Sequence, residues 1–210
     1  VGEGFDAIFH DLGVDQIVAG GQTMNPSIED ISNGISKINA KSVFVFPNNG
    51  NVILAAQQAA ELTKDKHVFV IPTKNVAMGI AGIIAYQEGA DDEENAKAMD
   101  EAAQRVRTCT VTYAVRDSVI ADLKIKEGDI IGLHNGKVDA KGDDRQIVAK
   151  DLMRKIVTED DELITVYYGS DVSEEDAQAL TDDLAGLFPD CDVEMHSGGQ
   201  PLYYYLISVE

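Results

Sequence analysis

The chain has 210 residues, 44% of them apolar, and its 37 acidic against 17 basic residues give a formal net charge of −20. This length and apolar content suffice for a substantial buried core in one large or two small domains. The charge argues against partners such as nucleic acid or anionic lipid, and no run approaches the roughly 18 apolar residues that a membrane-spanning helix needs.

Strands and helices alternate through the first part of the chain, which is typical of an α/β fold with a parallel sheet. Apolar residues recur at helical spacing from Phe5 to Leu12 and predict a short helix that ends at Gly13. Apolar runs without polar alternation predict buried parallel strands. The predicted strands here are 15–19, 42–46 and 67–71, and the predicted helices are 27–38, 51–62 and an apolar helix within 73–86. Ser27 is the predicted N-cap of the first of these helices.

A polar, acidic segment at 87–95 predicts a junction between two lobes, 1–88 and 89–210. In the second lobe, Asn135-Gly136 is the pair that a tight type I′ hairpin prefers, and it joins strands at 130–134 and from 137 onward. The other elements predicted there are helices 96–107, 144–157 and 174–187, and strands 108–115, 162–168, 191–195 and 202–209. Ser173 is the predicted N-cap of the helix at 174–187. The predicted fold class is α/β: a parallel-sheet first lobe with helices on both faces, and a second α/β lobe with a hairpin.

Two loops of similar composition each follow a predicted strand and lead into a predicted helix. They read GGQTMNPS at 20–27 and PNNGN at 47–51. Loops of this kind present backbone N–H groups at the sheet edge where open α/β folds bind ligands, so we expect them to lie side by side. The alternative is that Asn25, Asn48 and Asn49 only form turns and cap helices.

The sequence contains no pattern for phosphoryl transfer or for metal binding. A GxxxxGK[ST] loop is absent, and no cluster of Asp residues follows a strand to hold Mg²⁺. Cys109 and Cys191 lie far apart without CxxC spacing, as expected of reduced thiols in a cytoplasmic protein. We therefore predict no catalytic residue, no metal and no cofactor in this chain. The acidic charge is explained either by a solvated surface or by a docking face for a basic partner.

Four segments, at 2–31, 43–60, 70–86 and 198–210, resemble the C-terminal region of the fatty acid kinase A subunit, which defines a bacterial family related to dihydroxyacetone kinases. The resemblance implies a two-lobed DegV-like fold and a fragment that is not itself an enzyme. ATP and Mg²⁺ would belong to a separate kinase domain of the parent chain. This fragment would dock the fatty-acid-carrying B subunit, so that the kinase domain phosphorylates the acyl carboxylate in bacterial phospholipid synthesis.

The resemblance also supplies candidate contacts for a ligand or a partner. In DegV-type carriers two loops and a His near the C-terminus hold the lipid carboxylate, and the matching positions here are 23–27, 47–51 and 196–199. Met24 stands where that pattern has a hydroxyl, and amides replace small hydroxyl and glycine residues at 48 and 49. The resulting candidates are Thr23, Asn25, Ser27, Asn48, Asn49 and His196.

Two functional hypotheses follow from these residues and this resemblance. In the first, the chain is a non-catalytic docking domain whose partners are the fatty-acid-binding B subunit and the remaining domains of its own chain. In the second, it is a small-ligand-binding module that retains a fatty acid or another carboxylate between the lobes.

Overall fold

The computed structural model describes residues 2–20, 24–120 and 123–210, which form two compact units. The first unit comprises residues 6–106, and the second comprises residues 2–5 and 107–210. This division lies after the predicted boundary at 88, because the segment predicted as a linker is folded. The Asn95 side chain accepts from the Gln87 N–H at 2.8 Å and donates to the Gln87 carbonyl at 3.0 Å. The helix that carries Asn95 therefore belongs to the first unit.

The first unit contains a short parallel sheet packed against helices. Its elements are α1 (Glu3–Asp11, which begins in the second unit), α2 (Ile28–Lys37), β1 (Ser42–Val45), α3 (Ile53–Leu62), β2 (His67–Val70), α4 (Val76–Ile84) and α5 (Asp92–Arg105). The valines of β1 and β2 face a core formed with α2 and α3, in which Ile35, Val43 and Ala56 are buried. On the other face Phe44 contacts Phe69, with ring centroids 5.3 Å apart. The predicted α/β character of this unit is confirmed.

The strand predicted at 15–19 is not formed, and that prediction is wrong. Residues 16–20 carry no regular secondary structure, and within the described residues β1 pairs only with β2. Val18 packs so closely on Gly34 of α2 that a side chain at Gly34 would overlap it. The Gln16 amide donates to the Ile17 carbonyl at 3.0 Å, which occupies a backbone group that sheet pairing would use. Side-chain packing on α2 thus replaces strand pairing.

The second unit is built on a six-stranded mixed sheet with the order β7-β6-β3-β10-β8-β9. Its strands are β3 (Arg107–Tyr113), β6 (Ile130–His134), β7 (Lys137–Gly142), β8 (Leu163–Tyr168), β9 (Asp192–Ser197) and β10 (Tyr203–Val209). The helices α6 (Arg145–Ile156) and α7 (Glu174–Leu187) supply the buried residues that pack against it. A separate antiparallel pair of strands, β4 (Ser118–Ile120) and β5 (Leu123–Ile125), was not predicted.

Two local predictions in the second unit agree with the structure. Asn135 and Gly136 have φ values of 49° and 77°, as a type I′ turn requires. Ser173 caps α7 by accepting a hydrogen bond from the Asp176 N–H at 3.1 Å.

No helix in the part of the chain that the structure describes has the length and apolar character needed to cross a membrane.

Candidate functional site

The two loops that the sequence singled out lie side by side in the first unit. The Asn49 side chain donates a hydrogen bond to the Asn25 side-chain oxygen at 3.3 Å, which links the second loop to the first. The Asn49 oxygen in turn accepts from the Asn51 N–H at 2.9 Å. The expected meeting of the loops is therefore confirmed for residues 24–27 and 47–51. Thr23 lies outside the described residues, so its predicted role stays a prediction.

Asn48 holds its loop against the start of α4. Its backbone is left-handed, with φ of 54°, a conformation that Asn tolerates better than most residues. The Asn48 N–H donates to the Thr73 hydroxyl at 3.0 Å, and that hydroxyl donates to the Asn48 side-chain oxygen at 2.8 Å. The carboxamide also lies directly on Gly79, where a side chain would overlap it. The side-chain oxygen of this candidate residue is thus already satisfied.

Ser27 is fully engaged as the N-cap of α2. Its hydroxyl accepts from the Asp30 N–H at 3.1 Å and donates to the Asp30 carboxylate at 2.7 Å, while the Ser27 N–H donates to the same carboxylate at 2.8 Å. The hydrogen bond from the Ser27 hydroxyl, followed by that from its N–H, lowers the pKa of Asp30. This capping box explains Ser27 without a ligand.

An apolar pocket of about 170 Å³ opens in the first unit, with Pro26, Pro47 and Asn48 in its wall. An engineered apolar cavity of about 150 Å³ binds benzene, so this volume suits a small apolar group. The rest of the wall comes from α1, residues 14–18, α2, β1, α3 and Ile83 of α4, and from residues that directly flank these elements. It includes Phe9, Val18, Ile35, Val43, Val52 and Ala56. The unpaired segment at 14–18 therefore forms one side of the pocket.

His196 lies in the second unit, on strand β9, whereas the sequence placed it in a loop. Its ring stacks on Tyr167 with centroids 5.8 Å apart, and Tyr167 packs on Phe5 at 5.2 Å. The His196 Nε2 atom is 3.7 Å from the Glu194 carboxylate, and the His196 side chain is 47% exposed. This environment is that of a half-exposed residue stacked on an aromatic ring, and its predicted ligand contact stays a prediction.

Neither thiol is suited to nucleophilic chemistry at neutral pH. Burial raises the pKa of Cys109 to about 12. Burial, followed by Asp161, also raises the pKa of Cys191, whose Sγ donates to the Asp161 carbonyl at 3.1 Å. Among the described residues no group of three or more His, Cys, Asp or Glu is arranged to hold a metal ion.

Comparison with known proteins identifies the family. The whole chain, residues 1–210, matches the C-terminal family of fatty acid kinase A-like subunits. The chain belongs to this family. It is 41% identical over 210 residues to protein YloV of Bacillus subtilis, covering all of this chain and 38% of that relative. This member of the family thus spans well under half the length of YloV.

Solved structures similar to this family member show its fold. The Fak B3 protein of Streptococcus pneumoniae, loaded with linoleic acid, superposes with a TM-score of 0.63 and 16% identity over 88% of this chain and 76% of that one. The DegV family protein Cg2579 of Corynebacterium glutamicum gives a TM-score of 0.67 and 14% identity over 97% and 92%. The DegV-like α/β fold that the resemblance implied is confirmed.

Sequence reasoning about this family member did not find the pocket or Thr73. The alanines of α3 indicate close packing, and the structure shows that Ala56 also forms part of the pocket wall. Thr73 is fully buried and bonds Asn48, and its position directly after Pro72 at the end of a strand was the available signal. Because residues 15–19 were predicted to form a strand, the sequence did not indicate that Gln16, Ile17 and Val18 line the pocket.

Proposed function

We propose that this chain is the non-catalytic C-terminal domain of a bacterial fatty acid kinase A subunit and that it docks the fatty-acid-carrying B subunit. The observation that carries this proposal is the match of all 210 residues to the family formed by the C-terminal region of such A-like subunits. ATP and Mg²⁺ would be bound by a kinase domain elsewhere in the cytoplasmic parent protein. Docking would then bring the B subunit's acyl carboxylate to that kinase domain.

A binding experiment with a cognate B subunit tests this proposal. The purified chain is titrated with the B subunit by calorimetry, in fatty-acid-loaded and fatty-acid-free forms, from low to physiological salt. We expect saturable binding and no ATP hydrolysis by the chain. A DegV family protein from an organism without an A subunit serves as the control for nonspecific association. Absence of binding across the whole salt range would reject the docking role.

We infer a second candidate function, the binding of an acyl ligand, from the apolar pocket of the first unit. An empty apolar cavity destabilises a protein because its lining atoms lose packing partners. A pocket of about 170 Å³ therefore favours occupation by an apolar group. The polar loops at 24–27 and 47–51 contribute Pro26, Pro47 and Asn48 to its wall. An apolar pocket with a few polar groups on one side is typical of a ligand-binding site.

Ligand extraction with a matched pair of variants tests the second candidate. Ala56→Leu adds bulk to the pocket wall, whereas Ala60→Leu makes the same change on α3 outside the lining. We expect acyl compounds to be recovered by mass spectrometry from the unmodified chain and from the Ala60→Leu variant, and to be lost from the Ala56→Leu variant. Thermal unfolding establishes that each variant is folded. Equal recovery from both variants would reject the pocket as the site.

A further inference from the structure

We propose that the pocket of the first unit selects an uncharged acyl ligand, such as a fatty alcohol or a fatty acid ester, over a free carboxylate. The inference rests on the second candidate function, since it takes the pocket as a binding site and specifies the head group. It is carried by the charge of the pocket wall and by the hydrogen bonds that its polar side chains already make.

The pocket wall offers no positive charge to an anionic head group. Asp6 on α1 is the one charged residue of the described lining, and it is acidic. An ionised carboxylate that leaves water requires a cation or several N–H donors, and a like charge nearby disfavours it further. A fatty acid anion in this pocket would meet Asp6 without a compensating cation from the described wall. An alcohol or an ester carries no charge and avoids both costs.

Apart from Asp6, the polar side chains of the described wall are the neutral amides of Gln16 and Asn48. The Gln16 amide donates one hydrogen bond to the Ile17 carbonyl at 3.0 Å. The Asn48 oxygen accepts from Thr73 at 2.8 Å, so the amide nitrogen is the group through which Asn48 can serve a ligand. The remaining amide N–H groups can bond the oxygen of a hydroxyl or a carbonyl, but they bring no charge to balance that of a carboxylate.

Of the two helix N-termini beside the pocket, that of α2 is already served by carboxylates. Ser27 caps α2, and Glu29 and Asp30 lie in the first turn of that helix. Negative charge at these positions complements the dipole of α2, so little of its positive potential remains for an incoming anion. The N-terminus of α3, whose N-cap Val52 also lines the pocket, has no side-chain cap, but a helix dipole alone contributes less than the cost of taking an unpaired carboxylate out of water. The hydroxyl that the family resemblance assigns to a carboxylate is therefore bonded to one within the chain, at Asp30.

The size of the pocket sets the probe. A volume of about 170 Å³ is close to that of cavities that take a six-carbon ring, so short probes with a chain of about eight carbons are chosen. Octan-1-ol, methyl octanoate and sodium octanoate share this chain and differ in the head group. Short chains of this kind aggregate only at concentrations far above those at which longer chains form micelles, so all three can be titrated as monomers.

Affinities for the three probes are measured on the full chain by calorimetry or ligand-observed NMR at pH 7.5. We expect octan-1-ol and methyl octanoate to bind about tenfold more tightly than octanoate, as expected when an anion is moved without a partner toward an apolar site. The Asp6→Asn variant should narrow this ratio by about two- to fivefold, the range of exposed charge interactions. The control Asp11→Asn removes the same charge from α1 outside the lining and should leave the ratio unchanged.

The possible outcomes separate this inference from the function on which it rests. Octanoate binding as tightly as octan-1-ol, with no response to Asp6→Asn, would overturn the selectivity and leave an acyl-binding pocket in place. Binding of none of the three probes would reject both the pocket as a ligand site and the selectivity. Narrowing of the ratio by Asp11→Asn to the same extent as by Asp6→Asn would also overturn the inference, because the effect would then reflect net charge alone.

Discussion

Replacement of Asp161 by Asn should destabilise the second unit, because this carboxylate joins two of its elements. Its side chain is 6% exposed and pairs with the Arg107 guanidinium at the start of β3. It also accepts the Thr158 N–H at 2.6 Å and the Thr158 hydroxyl at 3.1 Å. Arg107 donates in addition to the Ile156 carbonyl at the end of α6, at 2.7 Å. The carboxylate therefore ties the end of α6 to the start of the sheet.

The expected loss follows from these contacts. Hydrogen bonds to a charged group contribute about 1.5–3 kcal/mol each, but the asparagine side chain would keep one acceptor oxygen. The Arg107 side chain is 33% exposed, so water screens part of the lost ion pair. We expect Asp161→Asn to lower the free energy of unfolding by about 2 kcal/mol, or the melting temperature by about 4–8 °C for a protein of this size.

The effect should depend on pH in a direction that the structure determines. Burial raises the pKa of Asp161, but hydrogen bonds from Thr158 and Arg107 outweigh it and leave that pKa below its usual value. An unfolded Asp titrates near pH about 4. The stabilisation is then fully present above that pH and is lost as the pH falls through the lower folded value. The difference in free energy of unfolding between the unmodified protein and Asp161→Asn, called the gap below, should be largest at pH about 6 to 7 and decrease only below pH about 4.

Urea unfolding at several pH values measures this gap, with Asp160→Asn as the control. Asp160 is exposed and adjacent in sequence, so its substitution removes the same charge and should stay within about 0.5 kcal/mol of the unmodified protein. Equal unfolding midpoints for Asp161→Asn and Asp160→Asn at pH 7 would refute the role given to the network. A gap that persists undiminished in strong acid would refute its electrostatic origin.

Three further predictions concern single side chains. Gly79→Ala should lower the free energy of unfolding by about 1–3 kcal/mol, because the new methyl group overlaps the Asn48 carboxamide. Gly186 lies in open space, so the control Gly186→Ala should instead stabilise α7 by up to about 1 kcal/mol, both measured by urea unfolding. Ser27→Ala removes the N-cap of α2 and should cost about 1 kcal/mol in the same assay, and no change would contradict the capping role. Buried Cys109 should be alkylated at pH 8 only after unfolding, and rapid labelling of the folded chain, followed by mass spectrometry, would contradict its burial.

Sequence reasoning succeeded where the determinants lie within a few residues of one another. The N-caps at Ser27 and Ser173 and the Asn135-Gly136 turn depend on local hydrogen bonds and local backbone conformation, and each is found as predicted. The meeting of the two polar loops was also predicted, and it is found even though the strand predicted before the first loop is not formed. The sequence thus identified the loops of the candidate site but not the hydrogen-bond partners of their side chains.

The sequence by itself determined the α/β class, the positions of most helices and strands, and the family, because periodicity, capping and motif identity are properties of short segments. Only the tertiary structure decided that residues 15–19 pack on α2 instead of joining the sheet, and that α5 packs on α4, where Gly82 lies close to the Met99 carbonyl. It also decided that a pocket lies beside the loops. These features arise from contacts between segments distant in sequence or from the volume that packing leaves unfilled. Neither leaves a pattern in a local stretch of residues.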